Sequence, residues 1–381
     1  MNLAIVVVAY NRSDSVARLL KSLEKAYYGS DRPTLIISID KSNTDVVERF
    51  ADEYVWPHGE KIVRKHEKNL GLRNHMLSLG EWFDRFEALV ILEDDIVVSP
   101  SFYEYTKQCV SKYHNNPRIA GISLYSYEVN YQTELPFQAY KDEHDAYFMN
   151  CAVSWGEVWM KDSWRKFYTW YLDHMDFPPS PTIPDRIMQW KASSWLKYHI
   201  RFCIENNLFF VHPYYSLTTN YADPGVHNQN AKSTSMQTNL IRGNKESFSL
   251  PDSIDDAVVY DGFFENKKLY SALNLSEHEC CLDLCGTRGN RENKRYWLTT
   301  VKANFKIVKS FGLRYRPIEV NIFEGIEGND IYLYDTNCQS HHFGISSQAV
   351  LFSYHIDYVS LLLKKIGFKV LIKTVWNHFI K

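Results

Sequence analysis

The feature that most constrains the fold is an apolar run that ends directly in three acidic residues. Residues 89–92 are apolar, Glu93, Asp94 and Asp95 follow without a spacer, and residues 96–98 are apolar again. A short apolar run suits a strand that is buried on both faces. Two carboxylates about 4 Å apart repel each other by roughly 4 kcal/mol at an effective dielectric constant of about 20. A solvated acidic turn or a divalent-cation site would relieve this repulsion, and the flanking apolar runs favour the cation site.

The first 124 residues alternate between strand and helix patterns. Apolar runs at residues 3–9, 35–39 and 61–64 predict three further strands. Between the strands, apolar residues recur at helical spacing, as in residues 16–23. The resulting order β-α-β-α-β-α-β predicts an α/β fold in which a mostly parallel sheet is flanked by helices.

After residue 124 the pattern is less regular. Residues 125–185 are rich in Tyr, Trp and Pro, and a helix is predicted at 159–174. A long helix is predicted at 187–206, followed by a strand at 208–211. Residues 212–250 carry many Asn, Ser, Thr and Gln, which predicts a loop.

The composition argues against several classes of protein. A net charge of −2 and a charged content of 23% give no sign of a nucleic-acid partner. The seven cysteines lack regular spacing, which indicates reduced thiols rather than a disulfide framework. The apolar run 3–9 is too short for a signal sequence, and no stretch approaches the ~20 apolar residues of a membrane span. We therefore expect a cytoplasmic protein.

Polar residues follow the first two predicted strands as well as the strand at 89–92. Tyr10, Asn11 and Arg12 come after the first strand, and Asp40 comes after the second. The carboxyl ends of parallel strands meet at one edge of a sheet, where ligands bind. Asp40 could accept hydrogen bonds from a base or ribose, and Arg12 could bind a phosphate. A helix-capping or turn role fits Asp40 equally well.

The segment 69–74 adds a second polar element at this edge. Gly71 lies at the start of a predicted helix, whose backbone amides favour phosphate. Arg73 offers a charged fork for a diphosphate, although a surface salt bridge is the more usual role for a single arginine. Together with the strand ends, this segment indicates a nucleotide-binding edge.

These residues resemble a known family, the GT-A glycosyltransferases. The resemblance rests on Tyr10-Asn-Arg12, Asp40, Asn69-x-Gly-x-x-Asn74 and Glu93-Asp-Asp95. It is strongest to bacterial family-2-like enzymes and to the N-acetylglucosaminyltransferase I type, whose signature is Glu-Asp-Asp. Residues 154–164 also resemble a Trp-Gly-x-x-Trp block of bacterial members. The resemblance covers roughly residues 1–235 and implies a GT-A (Rossmann-like) sheet with a C-terminal extension.

The resemblance implies a cofactor and a role for each residue of the motifs. Asp95 and His227 would hold Mn²⁺ or Mg²⁺, although His227 fits an unliganded loop histidine equally well. Asp94 would also act in catalysis, beside the donor sugar. The residues that would bind a nucleotide-sugar donor, expected to be a UDP-sugar, are Tyr10, Arg12, Asp40, Arg73, Glu93 and Asp94.

The general base is where the chain departs from the resemblance. The N-acetylglucosaminyltransferase I type carries Trp-Asp-Asp-Trp in its acceptor half, whereas the comparable stretch here, Trp190–Trp195, contains no acid. An inverting transfer needs a carboxylate within about 3 Å of the acceptor hydroxyl. Asp185, Glu157 and Asp162 are candidates, and we choose Asp185. The missing acid also leaves room for a relative without catalytic activity.

The predicted function is therefore a metal-dependent, inverting hexosyl- or N-acetylhexosaminyltransferase. It would move a sugar to a hydroxyl of a glycan or lipid-linked oligosaccharide in bacterial surface polysaccharide synthesis. A sugar nucleotidyltransferase and a non-catalytic glycan-binding relative are the alternatives. The first would typically show a Gly-rich loop after the first strand, which residues 9–12 do not form.

Four segments are predicted from these patterns. Residues 1–124 form the nucleotide-sugar-binding half, 125–250 the acceptor-binding half, and 251–355 a C-terminal extension of uncertain fold. Residues 356–381 form a basic amphipathic helix with five lysines and no acid after residue 360. Such a helix suits the anionic inner face of the plasma membrane, and docking on the protein's own core fits about equally well.

Overall fold

The computed structural model describes residues 2–223, 234–341 and 347–356, together with Val370. The chain divides into two compact units. Unit 1 is Met1–Val129 with Ala139–Lys267, and unit 2 is Asn130–Gln138 with Lys268–Lys381. The finer division into four segments with separate roles stays a prediction.

The elements up to residue 130 follow the predicted alternation closely. In chain order they are β1 (Leu3–Ala9), α1 (Ser13–Glu24), β2 (Thr34–Ile39), α2 (Val46–Glu53), β3 (Lys61–Lys65), α3 (Gly71–Ser78), a 3-10 helix (Leu79–Asp84), β4 (Ala88–Glu93), β5 (Ile96–Val98), α4 (Phe102–Tyr113), β6 (Ile119–Ser123) and β7 (Val129–Asn130).

The remaining elements are shorter and more mixed. They are β8 (Leu135–Pro136), β9 (Ala146–Met149), β10 (Glu157–Met160), α5 (Lys161–Asp173), α6 (Asp185–Met188), α7 (Leu196–Glu205), β11 (Phe209–Pro213), β12 (Thr218–Asn220), β13 (Val259–Tyr260), α8 (Lys268–Leu273), β14 (Cys280–Asp283), β15 (Tyr296–Thr299), β16 (Phe305–Phe311), α9 (Val320–Phe323), β17 (Ile331–Gln339) and α10 (Ser347–His355).

Unit 1 is built on a nine-stranded sheet with the order β13-β9-β11-β6-β10-β4-β1-β2-β3. Strands β1–β4, β6 and β11 run in one direction, and β9, β10 and β13 run in the other. Helices pack against this sheet, as α1 does through its buried Val16, Leu19, Leu20 and Leu23. The predicted α/β fold with a mostly parallel sheet flanked by helices is confirmed.

The central strands are buried because their sequences are apolar on both faces. Every residue of β1 is buried, and in β4 only the final Glu93 is partly exposed. Val8 pairs with Glu93 on one side of β1, and Ala9 pairs with Ile39 on the other. The three strands therefore end at the same level, so the residues that follow them share one edge of the sheet.

Two predicted helices differ from the structure. Trp159 lies in β10, and α5 begins only at Lys161, because residues 157–160 pair with β4 in the sheet. The predicted helix 187–206 is two helices, α6 and α7, separated by Trp190–Trp195. The break is set by a tertiary contact, since the Ala192 carbonyl accepts a hydrogen bond from Arg73 instead of continuing a helix.

Unit 2 has a sheet and a core of its own. In unit 2, the sheet β14-β15-β17-β16 packs a small core that includes Leu282, Leu298 and Leu333. The predicted C-terminal helix 356–381 lies outside the described residues except for residues 356 and 370. Within the part of the chain that the structure describes, no helix has the length and apolar character needed to cross a membrane.

Candidate active site

The acidic triplet lies at the shared carboxyl edge of β1, β2 and β4, as predicted from the strand pattern. Asp94 is 4% exposed, and the Arg12 guanidinium forms a fork with it. Arg12 Nε donates to Asp94 Oδ2 at 3.2 Å, and its Nη2 donates to Oδ1. The same Nη2 lies 3.5 Å from Asp95 Oδ2. Arg12 is thus engaged by the acids in this structure, and a direct phosphate contact by Arg12 stays a prediction.

Asp223 is a fourth carboxylate at this edge that the sequence analysis missed. It accepts a hydrogen bond from Ser15 Oγ at 2.7 Å and forms an ion pair with Arg18. Its charge contributes to the raised pKa of Asp94, which places it close to the triplet. The residue lies in a polar loop 208 positions from Ser15. No local pattern could have identified it.

The protein environment raises the pKa values of two acids in this cluster. Burial raises the pKa of Asp94 to about 6, and the fork with Arg12 opposes the rise. Burial, followed by the charges of Asp95 and Asp94, raises the pKa of Glu93 to about 8. Burial makes the largest contribution to both shifts, and repulsion between the acids adds to it.

A simple charge count gives the same result. Four carboxylates (Glu93, Asp94, Asp95 and Asp223) face two guanidinium groups (Arg12 and Arg18). When all are ionised, the cluster carries a net charge of −2, which a single divalent cation would neutralise. Oxygen ligands of this kind suit Mg²⁺ or Mn²⁺.

The geometry limits how many ligands the protein would supply. Among the described residues, the one group of three His, Cys, Asp or Glu side chains whose ligand atoms all lie within 4.8 Å is Asp142, Glu143 and His144. The acidic triplet is not such a group, so its carboxylates do not converge on one point. Asp95, whose side chain is 19% exposed, is the acid of the triplet best placed to meet a cation from outside. The residues therefore fit a cation that shares its coordination with a bound ligand.

Asp40 holds the start of α3 in place. Its Oδ1 accepts hydrogen bonds from the backbone N–H groups of Lys41 and Leu70 at 2.9 and 2.8 Å, and its Oδ2 accepts one from Gly71 at 2.9 Å. Gly71 has φ +73°, a conformation that favours glycine. The amides of Leu70 and Gly71 are therefore not available to phosphate, contrary to the expectation for segment 69–74. A nucleotide contact by Asp40, which is 4% exposed, stays a prediction.

Arg73 points to the loop between α6 and α7. Its Nη1 donates to the Ala192 carbonyl at 2.8 Å and to Tyr198 Oη at 3.1 Å. Neither the predicted diphosphate fork nor a surface salt bridge describes these contacts. At the far end of the same loop, a hydrogen bond from the Trp195 side chain partly offsets the rise in the Glu93 pKa. The loop thus lies beside the acidic triplet.

The tryptophan block 154–164 packs into the interior. The rings of Trp159 and Trp164 stack with centroids 4.3 Å apart, and Trp195 packs edge-on against Trp159 at 5.7 Å. Glu157, in β10, is 1% exposed, and among the described residues its carboxyl oxygens have no hydrogen-bond partner. Burial raises the pKa of Glu157 well above its usual value. The block is a structural core that contains one buried acid.

The three candidate bases differ in their surroundings. Glu157 is buried and held neutral, whereas Asp162 is exposed on the first turn of α5 and lies 3.9 Å from Arg165. Asp185 is the exposed first residue of α6. Within the described chain, no side-chain hydrogen bond or ion pair joins Asp185 to the acidic triplet, so its role stays a prediction.

Tyr10 and His227 are the remaining predicted site residues. Tyr10 directly follows β1 and is 40% exposed. His227 lies outside the described residues. Tyr221 precedes that segment, and its N–H donates to the Asp95 carbonyl at 2.8 Å.

Comparisons with known proteins give partial matches. Residues 14–175, less than half of the chain, match the family described as the SPBC1E8.03c C-terminal domain. No curated protein sequence matches the chain. Similar solved structures include S. aureus TarS 1–349 in complex with UDP-GlcNAc, at 13% identity and a TM-score of 0.41 over 61% of this chain and 62% of that chain.

Two further solved structures are similar over shorter regions. The mannosyltransferase PcManGT from Pyrobaculum calidifontis, in complex with GDP-Man and Mn²⁺, is 13% identical, with a TM-score of 0.31 over 42% of this chain and 45% of that chain. GalNAc-T7 with UDP, GalNAc and Mn²⁺ is 15% identical, with a TM-score of 0.36 over 55% of this chain and 42% of that chain. The match spans less than two thirds of each of these solved chains.

Proposed function

We propose that the protein is a metal-dependent GT-A glycosyltransferase that moves a sugar from a nucleotide-diphosphate donor, a UDP-sugar, to a hydroxyl of a glycan. One observation carries the proposal: four carboxylates and two guanidinium groups meet at the carboxyl edge of the parallel strands, with a net charge of −2 when all are ionised. A parallel sheet binds ligands at this edge. A divalent cation would neutralise this charge, and a diphosphate would complete its open coordination.

In this proposal each site residue has its own role. Asp95 and His227 hold the cation, which when bound neutralises the negative charge of the departing nucleotide diphosphate. Arg12 holds Asp94 in place beside the donor, and Asp94 and Glu93 face the ribose and donor sugar. Asp40 fixes the start of α3 at the nucleotide edge, and the exposed ring of Tyr10 meets the base.

The acceptor side of the proposal rests on the predicted base. Asp185 would take the proton of the acceptor hydroxyl as the new bond forms, with inversion at the anomeric carbon. The motifs resemble those of bacterial family-2-like enzymes and of the N-acetylglucosaminyltransferase I type. Bacterial surface polysaccharide is the proposed setting, with a lipid-linked oligosaccharide as acceptor at the inner face of the plasma membrane.

Calorimetry with Asp95→Asn tests the metal and the donor together. The wild-type protein should bind UDP more tightly with Mn²⁺ than with chelator, and Asp95→Asn should lose most of that difference while keeping its melting temperature. Asp142→Asn removes a carboxylate from the other acidic group of the described chain and serves as a control. Equal binding of UDP by wild type and Asp95→Asn in Mn²⁺ would contradict the proposed metal site.

A non-catalytic glycan-binding protein remains the second candidate. The observation that favours it is the lack of a carboxylate in Trp190–Trp195, the loop beside Glu93. Slow hydrolysis of a UDP-sugar, measured as release of UDP, separates the two because only a working site releases the nucleotide. Tight UDP binding without any release would favour the binding protein.

A further inference from the structure

Two cations lie together in unit 1, beside the loop Trp190–Trp195. Lys197 is in the first turn of α7 and is 6% exposed, and Arg73 is on α3. The Lys197 Nζ lies 5.3 Å from the centre of the Tyr198 ring, and the Arg73 guanidinium carbon lies 5.6 Å from the same centre. Both charges therefore face one aromatic ring.

Neither cation has an anionic partner in the part of the chain that the structure describes, since no carboxylate oxygen there lies within 4.0 Å of either. The Lys197 Nζ donates to the Trp190 carbonyl at 3.5 Å, and Arg73 bonds only neutral oxygens. Burial and the charge of Arg73 both lower the pKa of Lys197. A buried ammonium group without a counter-charge destabilises a protein unless something else compensates.

The start of α7 adds a further preference for negative charge. This helix has 10 residues and no acid in its first turn. The Tyr198 N–H donates to the Trp195 carbonyl at 3.1 Å. The backbone N–H groups before it at a helix start lack partners within the helix and carry partial positive charge, which favours a bound anion. Residues 191–193 are exposed, so a ligand from solvent can reach this helix start.

We propose that Arg73, Lys197 and the first turn of α7 form an oxyanion subsite for a phosphate or carboxylate carried by the acceptor. This rests on the proposed function and narrows the acceptor to an anionic glycan. We place the subsite on the acceptor side because Arg73 and Lys197 donate to residues 190–198 and, within the described chain, form no ion pair with the acidic cluster. The proposed nucleotide contacts, Tyr10 and Asp40, follow other strands. The assignment replaces the donor role expected for Arg73.

Calorimetry on the full chain tests the subsite with three probes: glucuronate, glycerol phosphate and neutral glucose. We expect the wild type to bind at least one of the anions and not glucose, and the two anions distinguish a carboxylate from a phosphate ligand. Lys197→Met keeps the buried stem but removes the charge, so anion binding should weaken at least tenfold, about 1.4 kcal/mol. Arg49→Gln removes an exposed charge from α2 and should leave binding unchanged.

The melting temperature of Lys197→Met gives an independent reading. Because the variant removes a charge that has no carboxylate partner in the described chain, its melting temperature should equal or exceed that of the wild type. Arg73→Gln is a second variant that should also weaken anion binding.

Two outcomes would overturn the proposal. One is that the wild type binds neither anion. The other is that Lys197→Met weakens binding of UDP with Mn²⁺ as much as it weakens anion binding, which would assign the cations to the donor diphosphate. Failure of the wild type to bind UDP at all would count against the proposed function, and the anion titration would still decide the subsite.

Discussion

Replacing Asp40 with alanine should destabilise unit 1, because the side chain is a structural link as well as a candidate nucleotide contact. The carboxylate accepts three backbone hydrogen bonds, from Lys41, Leu70 and Gly71. Loss of a helix-capping side chain costs about 0.5–2 kcal/mol, and each backbone N–H left unsatisfied in a buried place adds about 1–3 kcal/mol. Leu70 and Gly71 are only partly buried, so water can replace part of the loss.

These terms give a destabilisation of about 3 kcal/mol for Asp40→Ala. In a domain of this size, 1 kcal/mol shifts the melting temperature by roughly 2–4 °C, so the expected fall is roughly 6–12 °C. Thermal and urea denaturation, followed by circular dichroism, would measure it. This destabilisation is larger than expected for an aspartate at a strand end that makes few contacts.

Asp45 provides a matched control for this experiment. It directly precedes a helix of unit 1, α2, but its side chain makes no capping hydrogen bond and is 61% exposed. Asp45→Ala should change stability by less than about 0.5 kcal/mol. If Asp40→Ala is no more destabilising than Asp45→Ala, the three hydrogen bonds do not stabilise the start of α3.

Two further predictions concern a buried acid and the end of the chain. Glu157→Gln should be more stable than wild type at pH 7. Because the pKa of Glu157 is raised in the folded state, the folded protein keeps a proton that the unfolded chain releases above about pH 4.3. Wild-type stability therefore falls as the pH rises. Urea denaturation at pH 4 and pH 8 would check this, and a difference between the two proteins that does not grow with pH would contradict it. Truncation after residue 360 should abolish sedimentation with anionic liposomes and leave the melting temperature unchanged, whereas a large fall in melting temperature, with no liposome binding by the intact protein, would place the C-terminal segment on the protein's own core.

The first half of the fold could be predicted because its pattern is local. A strand that is buried on both faces needs a continuous apolar run, and residues 3–9 and 89–92 are such runs. The position of Glu93–Asp95 at the sheet edge follows directly. The strand ends of β1 and β2 bring Arg12 and Asp40 to the same edge.

The rest of the site depends on contacts between distant residues, which one sequence does not reveal. The break between α6 and α7 is stabilised by Arg73, 119 residues from Ala192. In the sheet Glu157 pairs with Ile91 of β4, at a position where an apolar side chain would be ordinary. The local sequence therefore does not indicate that this acid is buried. Asp40 presents a different difficulty. A capping role and a nucleotide-binding role would both place an aspartate at this strand end, so the sequence does not distinguish them.

The link from Asp223 to Ser15 and Arg18 has a consequence for how the protein is made. It joins the start of α1 to a loop 208 residues later, so its formation closes a very long loop and carries a large entropic penalty. Such contacts form late in folding, and domains begin to fold as the chain leaves the ribosome. A nascent chain that has emerged only through β11 can pair β1, β2 and β4 yet lacks the fourth carboxylate. Under the proposed function, full affinity for the divalent cation should therefore arise only after the loop that carries Asp223 has been synthesised.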